Sequence, residues 1–330
     1  MVRHPIADSN ESSLFGTLTA DEFYTRHSVS HDYEFVTNRQ GLKLFTQWWI
    51  PLPPTNLIGC LAIIHGYTGQ TSWVLQLTAV LFAKHGFATC AIDHRGHGFS
   101  EGLTTYIPDI NLLVEDCLTF FDSFRRLHVP SHLPSFIYGE SLGGAMALLV
   151  ALRQRRGLIT RPYDGIVFNC TMFGICKKFK PPWPLEYFLT IIAALVPTWR
   201  IVPTRYSIPD VSFKVGWKRK LILANPTQNV ERPRAGTARE IVRLADEIKT
   251  KFEEVELPFL VVHGSEDIVC DPATAEEFYR RASSVDKTMI MYPGVWHQMV
   301  GEEEKTVNLV FGDIVDWLVA RAKITVAKEL

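Results

Sequence analysis

The stretch that most constrains the fold is residues 136–144, which read F-I-Y-G-E-S-L-G-G. A short apolar run ends there, and an alanine- and leucine-rich segment follows at once, which predicts a strand, a very tight turn and a buried helix. Ser141 stands at the turn, where a strained backbone projects the hydroxyl into a cleft. Side chains two positions before or after it would collide with the strand or the helix, which explains Gly139 and Gly143.

Strands and helices alternate on both sides of this turn. Apolar runs predict strands at residues 60–65, 88–93, 135–138, 165–169, 259–263 and 287–292. Helical patterns separate or follow them at about residues 73–85, 111–126, 272–281 and 305–321. Continuous apolar strands that alternate with helices indicate a parallel sheet covered on both faces.

Two earlier segments, 32–36 and 42–50, alternate polar and apolar residues around a tight turn at 38–41. This pattern predicts an antiparallel hairpin at the edge of the sheet. Together the strands predict an α/β fold: a mostly parallel sheet with helices on both faces, interrupted by an inserted cap.

The cap is expected between residues 171 and 240, where the alternation stops and the sequence becomes rich in proline and aromatic residues. The insertion emerges at the carboxyl ends of the strands, where open α/β sheets bind ligands. The chain then divides into an N-terminal extension (1–30), a first core part (31–170), the cap (171–240) and a second core part (241–330). Residues 185–196 are predicted as a cap helix facing the cleft, with a membrane-touching amphipathic helix as the alternative.

The composition limits which binding partners and which cellular compartment are expected. The 330 residues are 47% hydrophobic with a formal net charge of -1, which suffices for a large core and gives no indication of nucleic acid as a partner. The six cysteines have no paired spacing and are typical of small buried residues in a reducing compartment. The N-terminus lacks a signal-peptide core, and no run reaches the roughly 20 apolar residues of a membrane span. We expect a cytoplasmic protein, in contact with membranes at most peripherally.

A serine at a turn is a common pattern, so its meaning depends on what lies at the ends of the other strands. The segment 65–69, H-G-Y-T-G, follows the first parallel strand. The oxyanion of an acyl-transfer intermediate needs two backbone N–H groups, one from this loop and one from the residue after the nucleophile. Tyr67 and Leu142 are therefore the candidates for the oxyanion hole.

Three carboxylates compete to orient a catalytic histidine after the strand at 259–263. Asp271 precedes Pro272 and a helical run, which is typical of a helix N-cap. Glu266 has the longer side chain and is expected to face solvent. Asp267 remains as the candidate acid.

The last strand is followed by Y-P-G-V-W-H, which ends in His297. A histidine in this loop, downstream of the acid, completes the chain order Ser141, Asp267, His297 that this architecture uses. His65, His263, His94 and His97 are the competing histidines, but neither an H-E-x-x-H spacing nor paired cysteines accompany them. No metal is expected, and the glycine pattern near His97 lacks the G-x-G-x-x-G of a dinucleotide site, so no cofactor is expected.

These segments resemble the α/β-hydrolase-fold serine hydrolases of the monoacylglycerol lipase type, including plant lysophospholipase-like and caffeoylshikimate esterase-like members. The resemblance extends from about residue 15 to residue 321 and rests on H-G-Y-T-G, D-H-R-G-H-G-F-S-E-G, G-E-S-L-G-G, H-G-S-E-D-I-V-C-D and Y-P-G-V-W-H. The cap segments K-F-K-P-P-W-P-L and V-S-F-K-V-G-W-K-R-K are most similar to the plant branch. The resemblance implies the α/β-hydrolase fold class, with a mostly parallel, eight-stranded sheet, helices on both faces and an inserted cap. It also implies a triad of Ser141, Asp267 and His297 and an oxyanion hole at Tyr67 and Leu142. Glu140 and Leu142 flank the serine where other members often have His or Glu and Met.

The expected activity is hydrolysis of a monoacylglycerol-like or lysophospholipid-like ester through an acyl-enzyme, without a cofactor. A hydroxycinnamoyl esterase, an acyltransferase with the same triad and a small-molecule receptor on the same fold stay open as alternatives. Apolar cap residues are predicted to form the acyl pocket and to offer a contact for a micelle or bilayer. These residues are Trp183, Pro184, Leu185, Tyr187, Phe188, Leu189, Ile191, Ile192, Leu195 and Trp199. The sequence carries no signal for an oligomeric state.

Overall fold

An eight-stranded sheet forms the centre of the computed structural model, which describes residues 2–177, 185–203, 206–227 and 231–329. Its strands are β1 (Val29–Thr37), β2 (Lys43–Pro51), β3 (Gly59–Ile64), β4 (Phe87–Ile92), β5 (Ser135–Glu140), β6 (Gly165–Asn169), β7 (Phe259–Gly264) and β8 (Lys287–Tyr292). They lie in the order β1-β2-β4-β3-β5-β6-β7-β8. β1 pairs antiparallel with β2, and β2 with β4, whereas the remaining neighbours pair in parallel. The predicted fold class and edge hairpin are confirmed.

Helices cover both faces of this sheet. They are α1 (Ala20–Arg26), α2 (Val74–Lys84), α3 (Ile110–His128), α4 (Leu142–Arg155), α5 (Leu185–Leu195), α6 (Ile208–Ser212), α7 (Gly216–Leu223), α8 (Ala235–Lys249), α9 (Pro272–Arg281) and α10 (Glu304–Glu329). Side chains of α3, α4, α8 and α9 form one core cluster with the sheet, and side chains of α2 and α10 form the other. Among the described helices, none has the length and apolar character needed to cross a bilayer.

The N-terminal segment belongs to the core, although its sequence pattern is weak. Ile6, Leu14 and Phe23 are buried in the same cluster as α2 and α10. A capping box of Thr19 and Glu22 starts α1. Because these apolar residues stand singly between turns, they form no periodic run, and the boundary predicted after residue 30 falls inside β1.

In the described part of the segment between β6 and β7, where the sequence predicts the cap, there are four α-helices, α5 to α8. The predicted cap boundary at residue 240 falls inside α8, which packs against both α4 and α5. The segment from α6 to α7 is joined to the loop that follows β8. The N–H of Val215 donates to the carbonyl of Gly301 at 2.9 Å, and the N–H of Gln298 donates to that of Ser212 at 3.1 Å.

Candidate active site

Ser141 occupies the sharp turn between β5 and α4. Its backbone has φ 54° and ψ -120°, which lies in the left-handed region that residues with a side chain rarely adopt. Hydrogen bonds hold this strained conformation: the N–H of Ser141 donates to the carbonyl of Asn169 at 3.0 Å, and its carbonyl accepts from the N–H of Met172 at 3.0 Å. The strained conformation is therefore maintained by β6 and by the segment that follows it.

The glycines around the serine are required by close backbone contacts. A Cβ on Gly139 would lie 2.6 Å from the carbonyl oxygen of Gly143, and a Cβ on Gly143 would lie 2.1 Å from that of Ile64. A Cβ on Gly144 would lie 1.9 Å from Oγ1 of Thr171. The steric explanation derived from the G-E-S-L-G-G segment agrees with these contacts.

The structure brings Ser141, Asp267 and His297 together at the carboxyl ends of the strands. Nε2 of His297 lies 3.1 Å from Oγ of Ser141, and Nδ1 of His297 lies 2.7 Å from Oδ2 of Asp267. Asp267 and His297 are both buried. This is the geometry in which an imidazole accepts a proton from a serine while a carboxylate orients it.

The Asp267 carboxylate is held in its ionised form. Its Oδ1 accepts from the N–H groups of Val269 at 2.8 Å and Cys270 at 3.0 Å. Burial acts to raise the pKa of this carboxyl, but the charge of His297 and hydrogen bonds from His263 and His297 outweigh burial and lower it below its usual range. An ionised carboxylate fixes the proton of a neutral His297 on Nδ1, which leaves Nε2 free to accept from Ser141.

His297 carries the opposite shift. Burial alone lowers the pKa of its imidazole, whereas the charge of Asp267 and its hydrogen bond raise that pKa well above the ordinary value. The base is therefore strong enough to take a proton from a serine hydroxyl during attack.

The two competing carboxylates lie where the sequence indicated. Oδ1 of Asp271 accepts from the N–H of Ala273 at 3.1 Å, as the N-cap of α9. Glu266 is exposed to solvent. Neither side chain forms a hydrogen bond with His297 within the described part of the chain.

Tyr67 and Leu142 both lie in the wall of the cavity that contains Ser141. The loop that carries Tyr67 passes directly beside the serine: a Cβ built on Gly66 would lie only 3.0 Å from Cβ of Ser141. Leu142 is the first residue of α4, and the first N–H groups of a helix have no partner in a preceding turn. Both residues that the sequence indicated thus belong to segments that adjoin Ser141.

A cavity of about 220 Å³ opens over Ser141 and His297. Aliphatic side chains form much of its wall: Val74, Leu75, Met172, Ile175, Val202, Ile208, Ile222, Ile241, Val242, Val269 and Val300. The cap contributes residues from 202–222, including Tyr206 and Phe213. The cavity can therefore bury a largely apolar acyl group next to the serine.

The prediction that helix 185–196 faces the cleft is wrong for the side chains that the structure describes. None of residues 188–195 lines the cavity. Leu189 and Ala193 are buried, whereas Phe188, Ile191 and Leu195 are 53%, 58% and 77% exposed. α5 packs its inner side on α8 and turns an apolar stripe outward. Trp199 is also exposed, Trp183 and Pro184 lie outside the described residues, and the side chains of Leu185 and Tyr187 are not described.

Two side chains beside the triad were not singled out for a role by the sequence. Sγ of Cys270 lies 3.9 Å from Oγ of Ser141, and Cys270 was interpreted only as a small buried residue. Glu140 lines the cavity, and burial raises the pKa of its carboxyl to about 7, against the lowering effects of His297 and Gln298. Their positions next to the motif residues Ser141 and Asp267 were the only available signal.

The other strand-end histidines have structural partners. Nε2 of His65 accepts from the N–H of His94 at 3.0 Å, and Nε2 of His94 lies 3.1 Å from the carbonyl oxygen of His65. Nδ1 of His97 lies 3.1 Å from the carbonyl oxygen of Arg95. These contacts fold the loop that follows β4.

A grouping of metal-ligand type does occur in the described residues. Potential ligand atoms of Cys170, Asp267 and His297 lie within 4.8 Å of one another. Because Asp267 and His297 are already hydrogen-bonded to each other, the arrangement suits proton transfer better than metal binding.

Known proteins are similar to this chain over most of its length. A sequence model of the family described as serine aminopeptidase, S33, matches residues 55–304. The chain is 30% identical over 320 residues to the caffeoylshikimate esterase of Arabidopsis thaliana, covering 97% of this chain and 94% of that protein. It is 26% identical over 294 residues to the monoglyceride lipase of Homo sapiens, covering 88% of this chain and 91% of that protein.

A solved structure is similar over most of its length. It is a soluble variant of monoglyceride lipase from Saccharomyces cerevisiae in complex with a substrate analog, with a TM-score of 0.76 and 20% sequence identity. The similarity covers 88% of this chain and 94% of that one.

Proposed function

Because the chain belongs to the serine aminopeptidase, S33, family and is a hydrolase of the α/β-hydrolase fold, we propose that it cleaves carboxylic esters through Ser141, His297 and Asp267. The family membership confirms the resemblance that the sequence motifs indicated. As the substrate we propose a monoacylglycerol-like or lysophospholipid-like ester. The observation that carries the proposal is the continuous path from Oγ of Ser141 through the His297 ring to the Asp267 carboxylate.

The geometry supports an acyl-enzyme mechanism. His297 takes the proton from Oγ of Ser141 as this oxygen attacks the ester carbonyl, and Asp267 stabilises the imidazolium that forms. The N–H groups of Tyr67 and Leu142 donate to the oxyanion. When the intermediate collapses, the bond to the alcohol breaks and His297 returns the proton to the departing alcohol. A water molecule, deprotonated by His297, then attacks the acyl-enzyme and releases the acid.

The wall of the cavity supports an aliphatic acyl group. Val202, Ile208 and Ile222 from the cap line one space together with Val74 and Leu75 from α2. Burying one methylene of a substrate in such a space contributes about 0.8 kcal/mol, which corresponds to about fourfold in kcat/KM. We therefore expect a rise with acyl chain length until the cavity is filled.

A hydroxycinnamoyl ester is the second candidate substrate. The cavity also contains the rings of Trp73, Tyr206 and Phe213, on which a flat aromatic acyl group can stack. The Arabidopsis thaliana relative, a caffeoylshikimate esterase, adds support for this class.

One panel of esters distinguishes the two. Purified protein is assayed with monoacylglycerols of increasing chain length, a lysophospholipid and caffeoylshikimate, with Ser141→Ala as the control for serine-dependent turnover. The proposal predicts that kcat/KM climbs along the monoacylglycerols and exceeds the value for caffeoylshikimate. If kcat/KM does not change with chain length and caffeoylshikimate is cleaved rapidly, the substrate is a hydroxycinnamoyl ester, and the proposed serine mechanism still holds. Turnover that persists in Ser141→Ala contradicts the mechanism itself.

The outward stripe on α5 supports a peripheral contact with a lipid surface. Phe188, Ile191 and Leu195 project from one side of the helix and are well exposed. An apolar stripe of this kind lies in the interface of a micelle or bilayer without crossing it. We accordingly propose a cytoplasmic enzyme that takes its substrate at such a surface.

A further inference from the structure

A second histidine, His263, contacts the Asp267 carboxylate. It lies near the end of β7 and is completely buried. Its Nε2 is 3.3 Å from Oδ2 of Asp267 and 3.4 Å from the carbonyl oxygen of Cys270. Both neighbours are hydrogen-bond acceptors, so Nε2 must carry a proton and donate to them.

The other ring nitrogen of His263 has no comparable role. Nδ1 is buried and makes no hydrogen bond to any part of the chain that the structure describes. A tautomer with its proton on Nε2 therefore satisfies the contacts better than one with its proton on Nδ1. Burying Nδ1 without a hydrogen-bond partner is unfavourable for folding. The favourable contacts of this histidine are therefore those made by Nε2.

With His263 included, each oxygen of the Asp267 carboxylate faces two donors. Oδ1 accepts from two backbone N–H groups, those of Val269 and Cys270, and Oδ2 lies against the two rings of His297 and His263. A carboxylate held at both oxygens cannot rotate away from His297. Each added donor also stabilises the negative charge, so the carboxylate competes less strongly for the proton of His297.

We propose that His263 is a positioning residue whose Nε2–H holds the Asp267 carboxylate against His297 and moderates its attraction for the proton of that ring. The proposal rests on the proposed function, because it assumes that Ser141 is the nucleophile and His297 its base. Other titratable groups near Asp267 and His297 are Glu140, Cys170 and Cys270, on the loops and strands that pack around them.

Removing the donor changes the pH profile in one direction. Without His263 the charge on Oδ2 is less dispersed, so the carboxylate favours the protonated form of His297 more strongly. The pKa of His297 then rises, and the base stays protonated up to a higher pH. The acid limb of serine reactivity moves to higher pH, which a purely structural effect of the substitution does not produce.

Two substitutions at residue 263 separate donation from packing. His263→Leu removes the donor while keeping an apolar body of similar size, whereas the amide nitrogen of His263→Gln stands about where Nε2 stands. His4→Leu is the matched control, because His4 is equally buried but contacts Thr78 and lies outside the triad. Thermal unfolding of each variant shows whether it folds.

The readout is the rate of Ser141 labelling by a fluorophosphonate between about pH 5 and 9, because this rate does not depend on which ester is the substrate. We expect His263→Leu to shift the acid limb upward by about half a unit to one unit and to lower the labelling rate on the plateau above that limb about tenfold. His263→Gln should stay near wild type, and His4→Leu should leave the acid limb in place.

The outcomes are distinct. Equal losses in His263→Leu and His263→Gln, or an unshifted acid limb in a folded His263→Leu, overturn the positioning role. If wild type is labelled rapidly at Ser141 while either of these outcomes is observed, only the role of His263 is rejected, and the proposed serine mechanism is retained. Failure of wild type to label at Ser141 overturns the proposed function, and the role of His263 with it.

Discussion

The ammonium group of Lys218, on α7 of the cap, donates a hydrogen bond of 2.9 Å to the carbonyl oxygen of Val300 in the loop that carries His297. A second hydrogen bond, of 2.6 Å, reaches the carbonyl oxygen of Glu302. Lys218 is 3% exposed, and burial lowers the pKa of its amine to about 8, partly offset by the neighbouring Glu302, Glu303 and Glu304. A buried lysine thus joins this part of the cap to the loop that carries His297.

Lys218→Met should weaken both the fold and catalysis. The methionine keeps most of the apolar stem but leaves two buried carbonyl groups without their donor, at a cost of about 1–3 kcal/mol in the free energy of unfolding. Because the loop that carries His297 loses two hydrogen bonds to the cap, kcat should fall by a larger factor than KM changes. Lys220→Met is the control, because Lys220 is exposed and pairs with Glu11. Denaturant unfolding measures the first effect, and steady-state kinetics measure the second. If the two variants have the same free energy of unfolding and the same kcat, the hydrogen bonds of Lys218 do not have this role.

Ser141 and His297 should act as a unit. Ser141→Ala and His297→Ala are each expected to lower kcat by on the order of 10⁴ to 10⁶, and the double variant should be little worse than either. A fluorophosphonate probe should label wild type at Ser141, as mass spectrometry of the digest can determine. Losses that add up in the double variant, or labelling at another serine, contradict the assignment.

Asp267→Asn should be far more harmful than Asp271→Asn. In the first exchange, an amide N–H donor can take the place of the carboxylate oxygen that accepts from Nδ1 of His297. His297 then holds its proton on Nε2, which is the wrong tautomer, and kcat is expected to fall by a factor on the order of 10⁴. The second replaces one good N-cap of α9 with another, so activity should change little. Steady-state kinetics of the two variants test this ranking, and the reverse order moves the acid to residue 271.

Glu140→Gln should shift the acid limb of kcat/KM to lower pH. An ionised carboxylate near His297 favours the imidazolium, so its removal lowers the pKa of His297 and the base becomes available at lower pH. The expected shift is about half a unit and is opposite in sign to that of His263→Leu. Glu266→Gln, at an exposed site, is the control. A shift to higher pH in Glu140→Gln contradicts the electrostatic contact with His297.

The stripe on α5 should govern binding to lipid and leave the chemistry unchanged. A triple exchange of Phe188, Ile191 and Leu195 to serine is expected to weaken sedimentation with lipid vesicles by at least about tenfold, because three apolar side chains lose their burial in the bilayer. kcat/KM for a short soluble ester should stay near wild type. Leu127→Ser is the control, since Leu127 is similarly exposed at 74% but lies on α3. Equal vesicle binding of the triple variant and wild type rules out this stripe as the contact.

The strands and the triad residues were accessible from sequence because both depend on short-range patterns. Buried parallel strands are uninterrupted apolar runs, and their carboxyl ends meet at one edge of the sheet. The end of each strand therefore identified Ser141, Asp267 and His297 as neighbours before any distance was known. The glycines at 139 and 143 added a steric requirement that the structure shows in detail.

The direction of α5 and the neighbours of the triad required tertiary structure. Leu189 and Ala193 are no more apolar than the exposed Ile191 and Leu195, so hydrophobicity alone could not decide which side of the helix is buried. Likewise, the contact between His263 and Asp267 depends on the path of the loop after β7. A strand-end histidine gives no sequence signal for it.

The outward stripe of α5 and the cap residues in the cavity wall, among them Val202, Ile208 and Ile222, are separate sets of side chains between β6 and β7. A substitution in the stripe leaves the volume of the cavity unchanged, and a substitution in the wall leaves the outer surface of α5 unchanged. Related enzymes with this cap can consequently diverge in where they work and in which ester they cleave as two independent traits. In laboratory evolution, the two sets of positions can be randomised in separate libraries and their best variants combined.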